Sequence, residues 1–195
     1  AESFSTTADV WEWSDTWSLL GSSGESWPAG RSLFASWAIT DSSITASLWV
    51  FGGLGDGTDI LNDLWQYSSA RWTQFGGERD PVPEYGTRGE PADSVWPGGR
   101  WGAASWSGLQ GMMVFGGEGI DANGLAGHLA DLWRYDQSMW CWLGGPVDSN
   151  QASSFDADHA WPGARSLASV WEDDAAVFLF GGEYACAEAE NGKCF

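Results

Sequence analysis

Two loops of the sequence hold clusters of oxygen-bearing side chains that could bind a cation. The first loop contains Asp56 and Asp59, and the second contains Asp121 and Asn123. Carboxylate and amide oxygens are the ligands that calcium prefers. Neither loop has EF-hand spacing. Asp and Asn are also common in ordinary turns between strands, and we favour this structural role over calcium binding. These loops therefore lead us to predict no cofactor, with calcium as the alternative.

Three tryptophans recur at matching positions and could stack against a sugar. They are Trp27, Trp96 and Trp161, and each is followed by a proline. The flat face of an indole ring matches the apolar face of a pyranose, so an exposed row of them would form a glycan-binding platform. Their repetition also fits packing between repeated units, which is the interpretation we favour.

The sequence offers no recognisable set of catalytic residues. It has no Gly-x-Ser-x-Gly elbow, no phosphate-binding loop and no His-Glu-x-x-His motif. Glu118 and Glu183 follow glycine pairs, but nothing raises them above the acidic background as a glycosidase pair. We therefore predict that the protein is not an enzyme.

The cysteines and the first residue bear on the compartment of the protein. Cys186 and Cys194 lie close together in an acidic tail, residues 184–195, and could form a disulfide in an oxidising compartment. Cys141 lies between two tryptophans and is expected in a strand. The chain begins at Ala1 rather than methionine, which favours a processed or excised piece. Together these features favour a secreted protein or one in an organelle lumen.

The chain is strongly acidic, with a net charge of −19 from 27 acidic and 8 basic residues. Such a surface repels phosphate backbones and anionic lipids, so nucleic acids and membrane surfaces are poor partners. No apolar run approaches the ~20 residues of a membrane span, which argues against direct membrane insertion. A basic partner or a high-salt or calcium-rich medium would suit this charge, and acidity for solubility alone explains it as well.

A repeated motif is the strongest structural signal in the sequence. Gly52, Gly116 and Gly181 each begin a glycine pair after an apolar run, and they are 64 and 65 residues apart. Between them lie short stretches that alternate apolar and polar residues and are rich in aromatic side chains, which predicts strands. The pattern predicts an all-β segment over residues 1–183 with one four-stranded unit per repeat. The repeat units fall near residues 9–53, 62–117 and 130–182.

The matching residues resemble those of the kelch repeat family. One copy reads Trp96-Pro97-Gly98-Gly99-Arg100, then an apolar strand ending in Gly116-Gly117, and later Tyr135 and Trp140. Kelch repeats have this order of an arginine-led strand, a strand ending in Gly-Gly, a strand with an aromatic near its end, and a strand with a tryptophan. The likeness covers residues 9–183 and is greatest to the long repeats of galactose-oxidase central domains.

The resemblance implies a β-propeller made of blades of four antiparallel strands. The repeated arginines Arg31, Arg100 and Arg165 would then hydrogen-bond carbonyls or a carboxylate between blades. The glycine pairs would let the backbone turn with positive φ; they are Gly52, Gly53, Gly116, Gly117, Gly181 and Gly182. The implied strands cover residues 9–13, 16–20, 31–38, 47–51, 62–67, 71–75, 100–106, 111–115, 130–135, 139–143, 165–171 and 176–180.

By this interpretation the chain holds about three blades, whereas propellers usually have ~4–8. An open arc of blades would expose strand edges and apolar sheet faces. We therefore expect part of a larger or multi-chain propeller, completed by other protein chains or further copies of this one.

We expect a non-catalytic protein-binding or assembly module of a larger extracellular or lumenal complex. A carbohydrate-binding propeller is the alternative. The resemblance also raises a galactose-oxidase-like copper enzyme, whose metal is held by histidines and tyrosines, one of them linked to a cysteine. This activity is the least expected, because nothing places His128 and His159 with a tyrosine and a cysteine at metal-ligand spacing.

Overall fold

The computed structural model describes residues 5–22, 26–40, 46–77, 82–108, 111–136, 138–156, 160–173 and 175–184. Every helix or strand element in these ranges is a strand, which confirms the predicted all-β class. His159, Cys186 and Cys194 lie outside the described residues, as does the tail beyond residue 184. Within the described ranges, no helix has the length and apolarity to cross a membrane.

The strands follow the predicted segments closely, with shifts of a few residues at their ends. In this part of the chain they are β1 (Val10–Ser14), β2 (Thr16–Gly21), β3 (Ala35–Thr40), β4 (Ala46–Leu54), β5 (Ile60–Ser68), β6 (Arg71–Gly76), β7 (Arg100–Trp101), β8 (Ala104–Gly108), β9 (Gly111–Ile120), β10 (Ala126–Asp136), β11 (Met139–Gly144), β12 (Ser169–Glu172) and β13 (Val177–Phe180).

These strands form four antiparallel sheets. The first large sheet has the order β3-β4-β5-β6, and the second has the order β11-β10-β9 with β7 and β8 both paired to β9. The other two sheets are a β1–β2 hairpin, here called the N-terminal hairpin, and a β12–β13 hairpin, here called the C-terminal hairpin. The described strands show several separate sheets and no closed ring.

Each large sheet takes its strands from two neighbouring repeat units. β3 and β4 belong to the unit predicted near residues 9–53, whereas β5 and β6 belong to the unit near 62–117. The two sheets share one register, since Val50 faces Trp65 across β4 and β5, and Val114 faces Trp133 across β9 and β10. Equivalent sequence positions therefore occupy equivalent positions in space.

A common hydrophobic core joins the two large sheets. It contains Trp37, Phe51 and Leu64 from the first sheet together with Trp133 and Trp140 from the second. β5 and β10 are largely buried along their length, because each is paired on both sides within its sheet. The indole N–H of Trp37 also donates to the carbonyl of Trp106 at 3.0 Å, which links the edges of the two sheets.

Candidate functional site

A buried, hydrogen-bonded polar cluster surrounds Arg100 in the second large sheet. Its guanidinium donates to both carboxylate oxygens of Asp131, at 2.7 and 2.9 Å. It also donates to the carbonyls of Gly98 at 3.1 Å and Gly116 at 3.2 Å. Both charged side chains are almost wholly buried. This bidentate pair joins β7 to β10 at one end of the sheet, and we call it the second Arg–Asp pair.

The first large sheet repeats this arrangement, which we call the first Arg–Asp pair. Arg31 donates to both oxygens of Asp63, at 2.6 and 2.8 Å. It also donates to the carbonyls of Ala29 at 3.1 Å and Gly52 at 3.0 Å. We expected these arginines to bond between blades, but each pair instead ties together strands of one sheet. The reason is that Arg100 begins β7 and Arg31 lies in the segment before β3, so each arginine meets an aspartate from the opposite side of the central strand β9 or β4.

Arg165 makes half of this arrangement. Its guanidinium donates to the carbonyls of Gly163 at 2.9 Å and Gly181 at 3.2 Å, as the other two arginines do at their equivalent glycines or alanine. However, no described carboxylate accepts a hydrogen bond from it. The C-terminal hairpin supplies counterparts of β3 and β4 but none of β5, which carries the aspartate in the first sheet.

Asp9 makes the other half. The indole N–H of Trp11 donates to its Oδ2 atom, just as Trp65 donates to Asp63 and Trp133 to Asp131. This hydrogen bond, with that of Thr7, lowers the pKa of Asp9 below its ordinary value. The carboxylate is exposed, and no described arginine bonds to it. Asp9 is therefore held in the geometry of the two paired aspartates without their cation.

Among the described strands, each terminal hairpin has one unpaired edge whose counterparts in the large sheets are paired. β1 corresponds to β5 and β10, which pair on both sides, but among the described strands it pairs with β2 alone. β13 corresponds to β4 and β9, which also pair on both sides, yet in the same ranges it pairs with β12 alone. Backbone N–H and C=O groups on these edges are free to pair with another strand.

Both hairpins also expose apolar side chains that their counterparts bury. Trp11 is 49% exposed, whereas the equivalent Trp133 is fully buried. Phe180 is 71% exposed, whereas the equivalent Phe115 is 5% exposed. Trp171 stacks against Phe178 with a ring separation of 5.7 Å on the open C-terminal hairpin. A patch of exposed aromatic residues beside an open edge is typical of an interaction surface.

The glycine pairs make a contact in the two large sheets that is not made among the described residues at the C-terminal hairpin. A Cβ atom on Gly52 would lie 2.7 Å from the carbonyl oxygen of Arg100, and one on Gly116 would lie 2.7 Å from that of Arg165. Each of these glycines therefore admits the arginine-led segment of the next unit. A Cβ atom on Gly181 would have no described atom within 4 Å. Gly181 therefore faces open space where its two counterparts contact a neighbouring unit.

The loops considered for calcium fold as hydrogen-bonded turns. The carboxylate of Asp121 accepts from the backbone N–H groups of Asn123 at 2.8 Å and Leu125 at 2.9 Å, and from Ser149 N and Oγ at 3.0 and 2.9 Å. Asp56 accepts from Thr6 N and Oγ1. Neither Asp59 nor any other described acidic residue, histidine or cysteine joins a group of three that could hold a metal.

The three tryptophans considered for glycan stacking lie half-buried against the preceding sheet or hairpin. Trp96 donates its indole N–H to the carbonyl of Asn62 at 2.9 Å, and Trp161 donates to that of Ala130 at 2.6 Å. Trp27 lies against the N-terminal hairpin at Gly21, where a Cβ atom would be 2.6 Å from its ring, and it also packs beside Trp72 of the first large sheet with a ring separation of 6.2 Å. These contacts fit the packing role, and the glycan role stays a prediction.

Tyr85 is a site residue that sequence reasoning did not identify. It lies in the insertion before the second sheet, and its hydroxyl donates to Asp131 Oδ2 at 2.8 Å. Burial and the Asp131 carboxylate raise the pKa of Tyr85 well above its ordinary value. Its ring packs 5.0 Å from that of Trp133. The repeats did not indicate this contact, because the connections before Trp96 and Trp161 differ in length and sequence.

Of the two histidines considered for copper, His128 lies 3.8 Å from Glu118, and His159 lies outside the described residues. The tyrosines Tyr85 and Tyr135 pack in the aromatic core around Trp133 and Trp140.

Comparison of the chain with protein-family models and with curated proteins found no match in either. Function must therefore be argued from the incomplete Arg–Asp pairs, the open edges and the exposed aromatic residues.

Proposed function

We propose that this chain is a non-catalytic assembly module made of kelch-type propeller blades, which joins other protein chains through its two terminal hairpins. The observation that carries the proposal is the pair of open edges on β1 and β13. Their counterparts in both large sheets are paired on each side. The chain thus presents two half-blades where its own repeats form whole ones.

The contacts between successive units support the propeller part of the proposal. The N–H of Gly102 donates to the carbonyl of Leu33 at 2.8 Å, and the N–H of Leu167 donates to the carbonyl of Gly102 at 2.7 Å. These three residues occupy the same position in their units and share a left-handed backbone, with φ of 55°, 62° and 58°. Innermost strands arranged side by side about one axis would be linked in this way.

Assembly would be driven by the free energy gained when the open edges and exposed aromatic side chains of the two hairpins are covered. A strand added to β1 or β13 would satisfy the free backbone groups of that edge. It would also cover aromatic side chains such as Trp11, Trp13 and Phe180, which are exposed by 49%, 60% and 71%. Burying each such side chain is worth about 1.5–3 kcal/mol before the cost of ordering. We place this assembly in an extracellular or lumenal compartment.

Amide hydrogen exchange followed by NMR tests the proposal, at a concentration where light scattering gives 21.0 kDa. We expect the outward-facing amides of residues 10–14 and 177–180 to exchange rapidly, while amides of β5 and β10 are protected. The outer edge of β6, the last strand of its sheet, serves as a control for normal edge exchange. Slow exchange at both β1 and β13 in the monomer would overturn the proposal, because those edges would already be paired within the chain.

A further inference from the structure

We infer that the partner of both open hairpins is a second copy of this chain, and that two copies close one ring of six blades. This inference rests on the proposed function and names its partner. β13 of one copy would pair with β1 of the other, and the same junction would form a second time across the ring.

Charge complementarity is the first observation that supports a second copy. Arg165 keeps the two carbonyl contacts of a paired arginine but has no described carboxylate, and Asp9 keeps the indole contact of a paired aspartate but has no described arginine. The two residues are the missing halves of one bidentate pair. Joining the C-terminal hairpin of one copy to the N-terminal hairpin of the next would form a third Arg–Asp pair.

The register of the large sheets fixes how the two strands would align. In the first sheet Phe51 faces Leu64 and Val50 faces Trp65. The second sheet repeats this register. Transferring it to the junction sets four cross-strand pairs, which are Phe180 with Val10, Leu179 with Trp11, Phe178 with Glu12, and Val177 with Trp13. Three of the four pairs are wholly apolar, so the junction would cover the exposed aromatic residues of both hairpins.

The open space beside Gly181 supplies an independent geometric match. Gly52 and Gly116 each lie against the carbonyl of the arginine that begins the next unit. After the shared blade, the next unit in the ring would begin with Arg31 of the second copy. Its carbonyl would therefore occupy the position beside Gly181 that no described atom fills.

The number of copies follows from closure of the ring. One copy contributes two large sheets and two half-blades, so one copy closing on itself would give three blades. Two copies give four large sheets and two shared blades, which makes six, and three copies would give nine. Propellers have ~4–8 blades, so two copies alone fall within this range. A head-to-tail contact that closes after two copies leaves neither β1 nor β13 with an open edge.

Light scattering on the full chain and on two charge-reversal variants tests the inference. We expect the wild-type chain to reach twice 21.0 kDa as its concentration is raised. Arg165→Asp and Asp9→Arg should each remain monomeric, because each places like charges at both junctions. An equimolar mixture of the two variants should recover the dimer. One junction then joins the introduced Asp at position 165 to the introduced Arg at position 9, which have opposite charges. The other junction joins the native residues Arg165 and Asp9. Circular dichroism checks that each variant is folded.

Two charge-reversal variants at exposed positions serve as matched controls. Arg71→Asp and Asp93→Arg change the net charge equally at exposed positions outside the hairpin junction, and both should dimerise like the wild type. A wild-type mass of 21.0 kDa at every concentration, a trimer, or a mixture that stays monomeric would overturn the inference. If the chain is monomeric while β1 and β13 amides exchange rapidly, the second copy is wrong and the proposed function stands with another partner. Slow exchange at those edges in a monomer would overturn both.

Discussion

Asp131 shows how a buried charge is accommodated in this fold. Its carboxylate accepts from the guanidinium of Arg100, the hydroxyl of Tyr85 and the indole of Trp133. Removing one partner from a buried ion pair typically costs about 3–5 kcal/mol, because the other charge is left without compensation. Arg165 and Asp9 avoid that cost because both are partly or fully exposed to solvent. The incomplete pair is therefore tolerated in one copy and available to another.

The carboxyl of Asp121 is expected to make the stability of the fold depend on pH. Burial raises its pKa, but hydrogen bonds from Ser149, Leu125 and Asn123 outweigh burial, so the pKa lies below its ordinary value. A carboxyl whose folded pKa is lowered stabilises the fold above its unfolded pKa of ~3.9, and the contribution is lost as pH falls through the folded pKa. We expect Asp121→Asn to lower the free energy of unfolding at pH 7 by about 1–3 kcal/mol.

Chemical denaturation at a series of pH values measures this effect. The difference between wild type and Asp121→Asn should shrink as the pH falls from ~4 through the lowered folded pKa, because below that pKa the wild-type carboxyl is protonated in both the folded and the unfolded chain. Asp93→Asn, at an exposed position, provides the control. An Asp121→Asn difference that stays constant from pH 7 to the acid limit would contradict the role given to the ionised carboxylate.

The strands and their connections carry the second level of organisation. β4 and β9 each contain a glycine pair whose first member has positive φ and lies against the next unit. The missing Cβ thus serves both the local shift in strand register and the contact between units. The C-terminal hairpin has the same glycine pair and the same backbone, but no described unit lies against it. Gly181 therefore keeps the backbone role of these glycines without the contact to a neighbouring unit.

Gly116→Ala and Gly181→Ala form a matched pair of variants at the element scale. Both glycines have similar φ, 63° and 72°, so the backbone cost of a Cβ is similar, about 1–2 kcal/mol. Gly116→Ala would add a clash with the carbonyls of Arg165 and Leu129, at 2.7 and 2.9 Å. Denaturation of the monomer should therefore show a larger loss for Gly116→Ala, whereas Gly181→Ala should mainly weaken the dimer. Equal losses of monomer stability would contradict this account.

Overall charge acts on the whole molecule and opposes its assembly. Two chains of net charge −19 repel each other over about 30 Å at 0.01 M salt and about 8 Å at 0.15 M. The junction itself offers one Arg–Asp pair and a row of apolar contacts, which act only at short range. Long-range repulsion therefore decides how the affinity depends on salt.

We expect the dimer to be several-fold tighter at 0.15 M than at 0.01 M salt, because screening removes more repulsion between the chains than attraction within the junction. Sedimentation equilibrium at the two salt concentrations measures the dissociation constant. Tighter association at 0.01 M would mean that the local Arg–Asp attraction outweighs the net charge.

The sequence by itself determined the all-β class and the position of almost every strand. Period-two alternation and the repeated glycine pairs are local signals, and a strand depends on its own residues for which face it buries. Where one repeat predicts a strand, as at 111–115, the structure places β9. The likeness of the repeats also indicated that Arg31, Arg100 and Arg165 have one structural role.

Tertiary structure alone decided which partners those residues find. Asp9, Asp63 and Asp131 look alike in sequence, but their pairing depends on strands that are distant along the chain. Tyr85 reaches Asp131 from the long connection between β6 and β7. The open space beside Gly181 and the open edges of β1 and β13 result from contacts that the described residues do not make. No local sequence pattern encodes the absence of such a contact. The sequence could specify each strand because that depends on neighbours in the chain, whereas a binding surface depends on neighbours in space.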